Sequence, residues 1–302
     1  MRGAAPLLHM EEFMEILNAI IQGIIQGLTE FLPISSSGHL ALYQHFIGTG
    51  GENGTLLTVL LHLGTLLAVF IVYWKTILEL LLEAFSMVGD VLHRRFSFKK
   101  LNNNRRMIIM LFISCIPLLI LLIPVGKDLR LMDVLTGLST DGNILAEGLA
   151  FLFTAFLLIY GSYVAAHRKR WHKVNTTDAL TIGFAQMAAA GFAGVSRSGA
   201  TISAGIISGV PKNYMVRYSF ILGIPAILAA NLMEIRGAVE VHQDVNILAA
   251  VLGIIAAAAV GVAAIKLLQW LVEKNMFQYF GYYCLALGAI STVIGIVEIC
   301  TK

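Results

Sequence analysis

"LTEFLPISSSGHL", residues 28–40, sets a carboxylate, three serines and a histidine inside an otherwise apolar stretch. Pro33 ends a helix arriving from the N-terminal side, because it lacks an N–H donor and its ring clashes with the carbonyl four residues back. The serines that follow are favoured N-cap residues for a new helix. The stretch therefore reads as a break between two helices. In lipid, irregular backbone and polar side chains persist only where they face protein or a water-filled cavity.

The whole chain says that lipid is the relevant solvent. Of its 302 residues, 58% are hydrophobic and 13% are charged, with a mean hydropathy of +0.81. Soluble domains carry about 25% charged residues, so composition alone indicates an integral membrane protein. The apolar runs are rich in Leu, Ile, Ala and Gly and lack strand-like alternation, which predicts an all-α polytopic protein rather than a barrel. A net charge of +3, confined to a few loops, is too small and too localised to imply nucleic acid, and none is expected as a partner. Cys115, Cys284 and Cys300 are far apart in or beside apolar runs and form neither a disulfide framework nor a metal knuckle. "MRGAAPLLHMEEFMEIL" has too short an apolar core for a signal peptide and carries Glu11, Glu12 and Glu15, so the mature chain is expected to be the whole chain.

Working outward from the break, six runs are long enough to cross about 30 Å of hydrocarbon as helices. They cover roughly 55–74, 107–125, 145–167, 215–234, 247–271 and 277–299. Two other apolar regions, 13–47 and 178–210, are interrupted in the middle by Gly, Ser and, in the first, Pro33. Their halves, about 10–17 residues each, predict re-entrant hairpins rather than spans. Basic residues orient the chain. Arg94, Arg95, Lys99, Lys100, Arg105 and Arg106 crowd one loop, and Arg168, Lys169, Arg170 and Lys173 crowd another. The positive-inside rule puts both loops in the cytoplasm, and the loops near 126–144 and 236–245 outside. The two hairpins then enter from opposite faces.

The broken segments also resemble each other. Set residues 21–38, "IQGIIQGLTEFLPISSSG", over residues 182–199, "IGFAQMAAAGFAGVSRSG": Ile21 meets Ile182, Phe31 meets Phe192, and Ser35-x-Ser37-Gly38 meets Ser196-x-Ser198-Gly199. With opposite entry directions this predicts an inverted-topology repeat within one membrane domain, 1–302, repeat one covering about 13–125 and repeat two about 178–271. In such folds half-helix N-termini meet near the midplane and point at an anionic ligand.

The polar residues at the breaks are the candidates for chemistry. Glu30 weighs more as a functional carboxylate than as a solvated interfacial one, because Phe31 and Leu32 follow it. Gln26, four residues earlier, shares its helix face and completes an oxygen-rich patch suited to a hard divalent cation, or serves as a plain helix contact. Ser36 and His39 are three apart and would share a face of a helix starting at the serines. A serine nucleophile needs such a base or a metal. The plainer account makes Ser35, Ser36 and Ser37 caps and His39 a polar cavity residue, and spacing leaves both open. Arg197, between Ser196 and Ser198, supplies the always-charged planar fork that suits phosphate. His62, in "LLHLGTLL", reads first as a helix contact and second as cavity lining. Lys266 reads as snorkelling to the cytoplasmic interface. Asn231 and Glu234 approach the outer end of their span, where Glu234 is expected to be solvated.

At this point the chain resembles a known family. "GIIQGLTEFLPISSSGHL" and "AGVSRSGATIS", with "LHLGTLLAVFIVYW" and "YSFILGIPAIL", are similar to the signature regions of the undecaprenyl pyrophosphate phosphatases, also called bacitracin-resistance proteins. The resemblance runs over nearly the whole chain. It implies six spanning helices plus two re-entrant hairpins in an inverted repeat. It also implies a hydrolase of the bacterial cytoplasmic membrane that converts undecaprenyl pyrophosphate to the monophosphate and inorganic phosphate. The external entry of the first hairpin, read from the basic loops, places the Ser/His half of that site toward the external side. It assigns Ser36 as nucleophile, His39 as general acid/base, and Glu30, with Gln26, as support for a divalent cation (Mg2+ or Ca2+). Arg197 would clamp the pyrophosphate, with Ser35, Ser37, Ser196, Ser198 and Thr201 around it. Gln26 stands where many members carry a carboxylate, and Ala193 where proline is usual. The implied partners are the polyprenyl pyrophosphate and membrane lipid, with a homodimer left open. The competing reading is a transporter or flippase of an anionic polyprenyl lipid, since inverted repeats and broken helices are transporter features. A purely structural scaffold leaves Glu30, His39 and Arg197 without a purpose.

Overall fold

A computed structural model describes residues 4–48, 52–97, 101–126, 129–137, 143–240 and 246–301, with the side chains of 4–9, 52–55 and 233–240 outside that description. Lys99 and Lys100 of the first basic loop and the side chain of Glu234 therefore lie outside the described residues. Among the described residues there are eleven α-helices and no strand. They are α1 (Ala4–Phe31), α2 (Ser36–Ile47), α3 (Glu52–Leu92), α4 (Asn103–Cys115), α5 (Leu131–Gly137), α6 (Leu145–His167), α7 (Thr176–Gly191), α8 (Arg197–Ser208), α9 (Lys212–Glu240), α10 (Ile247–Glu273) and α11 (Gln278–Thr301). A 3₁₀ segment, Ile116–Leu122, continues α4. Pro117 opens it, since a proline cannot donate to the carbonyl four residues back and the α-helical ladder gives way.

Six helices are long and apolar enough to cross a membrane, and they coincide with the six expected runs. One is much longer than expected. Hydropathy ends the first span near Lys75, yet α3 runs 41 residues to Leu92, with Tyr73 at φ −107° and ψ 19° marking a kink. Beyond the kink the helix stays apolar, with Leu78, Leu81, Leu82 and Phe85 exposed, and ion pairs tie it to α4. Arg105 at the start of α4 bridges Glu83 at 2.5 Å and Asp90 at 2.7 Å. The broken regions are helix pairs, and three of the four arms have the expected length while the first does not. α1 has 28 residues, not 10–17, while α2, α7 and α8 have 12, 16 and 12. α2 folds back on α1, where Tyr43 Oη donates to Asn18 Oδ1 at 2.8 Å and Gln44 Nε2 to Gln22 Oε1 at 3.2 Å. α7 and α8 likewise pack against each other.

Lipid shapes the surface and small residues shape the core. Phe112, Phe153, Phe156, Leu232 and Val293 are exposed, as side chains bathed in hydrocarbon can be. Between helices no hydrophobic driving force exists, so close backbone approach provides the attraction. α1 packs chiefly on α10, and α6 on α11. At Gly27 a Cβ would stand 2.5 Å from the Ala257 carbonyl oxygen and 3.0 Å from Gly261 N, both backbone atoms with nowhere to go. Gly27→Val is therefore expected to destabilise the fold by about 1–3 kcal/mol. Thermal unfolding in detergent reads this as a lower midpoint, and an unchanged midpoint would refute the tight α1–α10 seam.

Candidate active site

Two helix breaks meet in the interior, and each is built by the same local device. In both, the first serine of a Ser-x-Ser-Gly run caps the next helix. Ser35 Oγ accepts from Gly38 N at 3.2 Å at the start of α2, and Ser196 Oγ accepts from Gly199 N at 3.1 Å at the start of α8. Each glycine is required by a close approach. A Cβ on Gly38 would stand 2.7 Å from the Phe151 ring, and one on Gly199 would stand 3.2 Å from the Pro33 carbonyl oxygen. Ser35 itself sits at φ 75° and ψ 102°, a sparsely populated conformation for a residue with a side chain. Holding it there costs on the order of 1–3 kcal/mol, so the surroundings must enforce it.

Glu30, the penultimate residue of α1, is the point of convergence. Its Oε1 accepts from Arg197 Nη2 at 2.5 Å. Its Oε2 accepts from Ser36 Oγ at 2.7 Å and from Gln26 Nε2 at 3.1 Å. His62 of α3 points Nε2 at the same oxygen from 3.8 Å. The carboxylate is 8% exposed, so the guanidinium is what allows it to stay charged there. Arg197 also donates through Nη1 to the Ser219 carbonyl at 3.4 Å and lies flat against Gly223, where any Cβ would collide with the guanidinium. Two of the five N–H donors of the fork are used this way, leaving the others for a ligand. A cavity of about 350 Å³ opens on Glu30, Ser36, Ser37, His62, Arg197 and Ser198, with apolar walls from α7 and α9. A hydroxyl aimed at a carboxylate beside a guanidinium is an arrangement for deprotonating an attacking oxygen next to an anion clamp.

The other expected residues divide into those on the cavity and those behind it. Ser37 lines the cavity and accepts from Gly194 N at 3.2 Å, tying the two breaks together. Ser198 donates to the Glu30 carbonyl at 3.3 Å. Ser196 lines the cavity through its cap, and its N–H donates to Thr154 Oγ1 at 3.1 Å. Ser35 and Thr201 are buried behind the wall. Thr201 Oγ1 serves the Arg197 carbonyl at 2.9 Å and meets Ser219 Oγ at 2.6 Å, so it braces the helix that carries Arg197.

His39 is where geometry departs from the expected proximity to Ser36 and Arg197. Its Nδ1 donates to the Ser35 carbonyl at 2.6 Å, and its Nε2 accepts from Tyr283 Oη at 2.8 Å. The ring stacks on Tyr283 and meets Phe151 edge-on, outside the cavity wall. Both nitrogens are thus engaged away from Glu30. The histidine beside the carboxylate is His62 instead. Its Nδ1 donates to the Thr58 carbonyl at 2.8 Å, which leaves Nε2 turned toward Glu30. Thr58, His62 and Thr65, spaced four and three apart in an apolar helix, were the available signal, since that spacing puts them on one face. Asn231 of α9 also lines the cavity, is 4% exposed, and leaves its Nδ2 without a hydrogen-bond partner.

Known proteins are similar to this chain over nearly its full length. The profile of the family described as bacitracin resistance protein BacA matches residues 19–290. An undecaprenyl-diphosphatase of Alkaliphilus metalliredigens is 35% identical over 278 residues, covering 92% of this chain and 98% of that protein. One of Desulfatibacillum aliphaticivorans is 38% identical over 280 residues, covering 91% and 97%. One of Methanosphaera stadtmanae is 32% identical over 287 residues, covering 94% and 99%.

Proposed function

Because the chain belongs to the bacitracin resistance protein BacA family, we propose that it hydrolyses undecaprenyl pyrophosphate to undecaprenyl phosphate and inorganic phosphate. That reaction returns the lipid carrier to cell-wall synthesis and confers bacitracin resistance. The observation that carries the reading is one carboxylate, Glu30, accepting from Ser36 Oγ at 2.7 Å and from Arg197 at 2.5 Å.

The proposed chemistry follows from those contacts. The terminal phosphate enters the cavity and takes donors from Arg197. As the guanidinium shares itself with the phosphate, its hold on Glu30 weakens and the carboxylate becomes a better base. Ser36 Oγ then attacks the terminal phosphorus, its proton passes to Glu30, and the anhydride P–O bond breaks to release undecaprenyl phosphate, which takes up that proton. A water, deprotonated in turn by Glu30, attacks the phosphoserine phosphorus; the Ser36 Oγ–P bond breaks, Ser36 Oγ takes that proton back from Glu30, and inorganic phosphate is released. Charge spread over the phosphoryl oxygens is stabilised by Arg197 and by the free amide of Asn231. The polyprenyl tail stays in lipid between helices.

A divalent cation, Mg2+ or Ca2+, belongs to the same proposal. Among the described residues no cluster of three His, Cys, Asp or Glu exists that would cage an ion alone. A single carboxylate with an unpartnered buried amide oxygen, Gln26 Oε1, fits a cation that is held largely by phosphate oxygens and water. Glu30 and Gln26 would hold it, and when bound it would neutralise phosphoryl charge. The fold proposal is that α1/α2 and α7/α8 are re-entrant hairpins of an inverted repeat. Their matching serine caps and their meeting at Glu30 and Ser198 support it. The basic loops and the positive-inside rule support a site facing the external side of a bacterial cytoplasmic membrane.

Purified protein in detergent, with no second compartment, is expected to release phosphate from undecaprenyl pyrophosphate, and absence of release with either cation would sink the assignment. His39 is expected to act by position. His39→Ala should lower the rate between about 10- and 100-fold by loosening the Ser35 turn, while both limbs of the pH–rate profile stay in place. A lost limb would return proton transfer to His39.

A further inference from the structure

A second cavity, of about 350 Å³, lies where α9 begins, among Arg106, His172, Lys173, Tyr214 and Arg217. No carboxylate lines it. The cations on its walls are held by neutral partners. Arg106 Nη1 donates to the Val174 carbonyl at 3.4 Å, Lys173 Nζ donates to Asn103 Oδ1 at 3.0 Å, and the Arg217 guanidinium sits 5.7 Å from the centre of the Tyr214 ring. The nearby acid is Asp178, which is buried, accepts from Asn175 N at 2.9 Å in the cap of α7, and lies 3.5 Å from His172 Nδ1. Glu273 lines a neighbouring cavity that shares Tyr214 and Arg217. Gathered cations that outnumber the acids beside them create a positive potential. The first-turn N–H groups of α9 have no intrahelical acceptor and add to it.

This cavity is not an extension of the active site. The two cavities share no lining residue, although Arg197 meets α9 at the Ser219 carbonyl and at Gly223, two and six residues beyond Arg217. Between the two sites stand Phe31 and Phe220, both buried, edge to face at 5.2 Å, with Tyr73 against Phe220 at 6.2 Å. Its walls come from the same end of the molecule as both basic loops.

We propose that Arg106, Lys173 and Arg217 form a binding site for a dianionic phosphate, either the phosphomonoester headgroup of a lipid or free inorganic phosphate, in a cavity at the start of α9 that shares no lining residue with the Glu30 cavity. Two guanidinium forks and an ammonium match the charge and the several acceptor oxygens of that group, whereas a diester offers one charge and fewer free oxygens. The site uses none of the residues of the phosphatase reading and does not depend on it.

The test uses the full chain, purified in neutral detergent, with retained lipid counted by native mass spectrometry. Phosphatidic acid, a monoester, should be retained in preference to phosphatidylglycerol, a diester. The Arg106→Gln/Arg217→Gln double variant should lose that retention about 30-fold, while releasing phosphate from undecaprenyl pyrophosphate as the parent chain does. Displacement of phosphatidic acid by millimolar inorganic phosphate would identify free phosphate as the ligand, and retention in its presence would identify the lipid; either supports the site. If the double variant loses its fold, Lys173→Gln, a change at an exposed side chain, carries the comparison. Equal retention of the two lipids, or undiminished retention by both variants, would overturn the proposal.

Discussion

Arg197→Ala is expected to lower phosphate release at least about 1000-fold, because an arginine that neutralises transferring phosphoryl oxygens is worth about 10³–10⁵ in rate. The same change leaves Glu30 buried without its cation, which costs on the order of 3–5 kcal/mol of stability. The two effects separate in a double variant. Arg197→Ala/Glu30→Gln removes the uncompensated charge and should recover much of the thermal midpoint in detergent, yet recover no activity. Arg197→Lys should keep the fold and still lose most of the rate, since an ammonium cannot bridge Glu30, the Ser219 carbonyl and a phosphate at once. Phosphate release within tenfold of the parent in Arg197→Ala would remove the clamp from the mechanism.

Glu30→Gln is expected to cost about 10²–10⁴ in rate, the range of a positioned general base. An amide keeps the hydrogen bonds to Ser36 and Arg197 in reach but cannot accept the Ser36 proton. Ser36→Ala separates the two attackers that this geometry allows. With Ser36 as the attacking oxygen, activity falls to the level of Glu30→Gln and no phosphoprotein forms. With a water activated by Glu30, Ser36→Ala loses only the hydrogen bond and activity drops about tenfold. Acid quench with labelled terminal phosphate reads the difference directly, as a covalent adduct on the parent chain that Ser36→Ala lacks. Activity unaffected by Glu30→Gln would end both versions.

Much of the architecture was legible from short stretches. The six spans follow from runs of about twenty apolar residues, which in lipid have few alternatives to a helix. The two breaks follow from Pro33 and from Ser-x-Ser-Gly, whose capping action is local and appears in both places. The length of α3 was not legible. Past Lys75 the chain stays apolar through Leu80, Leu81 and Leu82, but about twenty residues already suffice to span, so span length alone does not tell how far the helix runs on. Its far end is tied to α4 by Arg105, twenty-two residues from Glu83. The length of α1 was missed for a related reason. Glu11, Glu12 and Glu15 interrupt its apolar run and Pro6 stands near its start, so hydropathy gave no reason to extend the helix back to Ala4.

The site divides in the same way. Glu30, Ser36 and Arg197 could be singled out because a charge or a hydroxyl cluster in an apolar run is expensive and therefore conspicuous. Their meeting could only be expected. His39 and His62 show the limit most clearly, since both are single histidines in apolar surroundings. The ring of His39 is drawn aside by Tyr283, 244 residues away, and His62 approaches Glu30 from a separate helix. The sequence by itself determined which segments partition into the bilayer and where helices start and stop, because transfer to hydrocarbon and helix capping act over one to a few turns. Which polar groups face each other was decided only by the tertiary structure. Glu30 and Arg197 are 167 residues apart, and a 2.5 Å ion pair between them exists only because glycine-lined helix seams bring two breaks to one point.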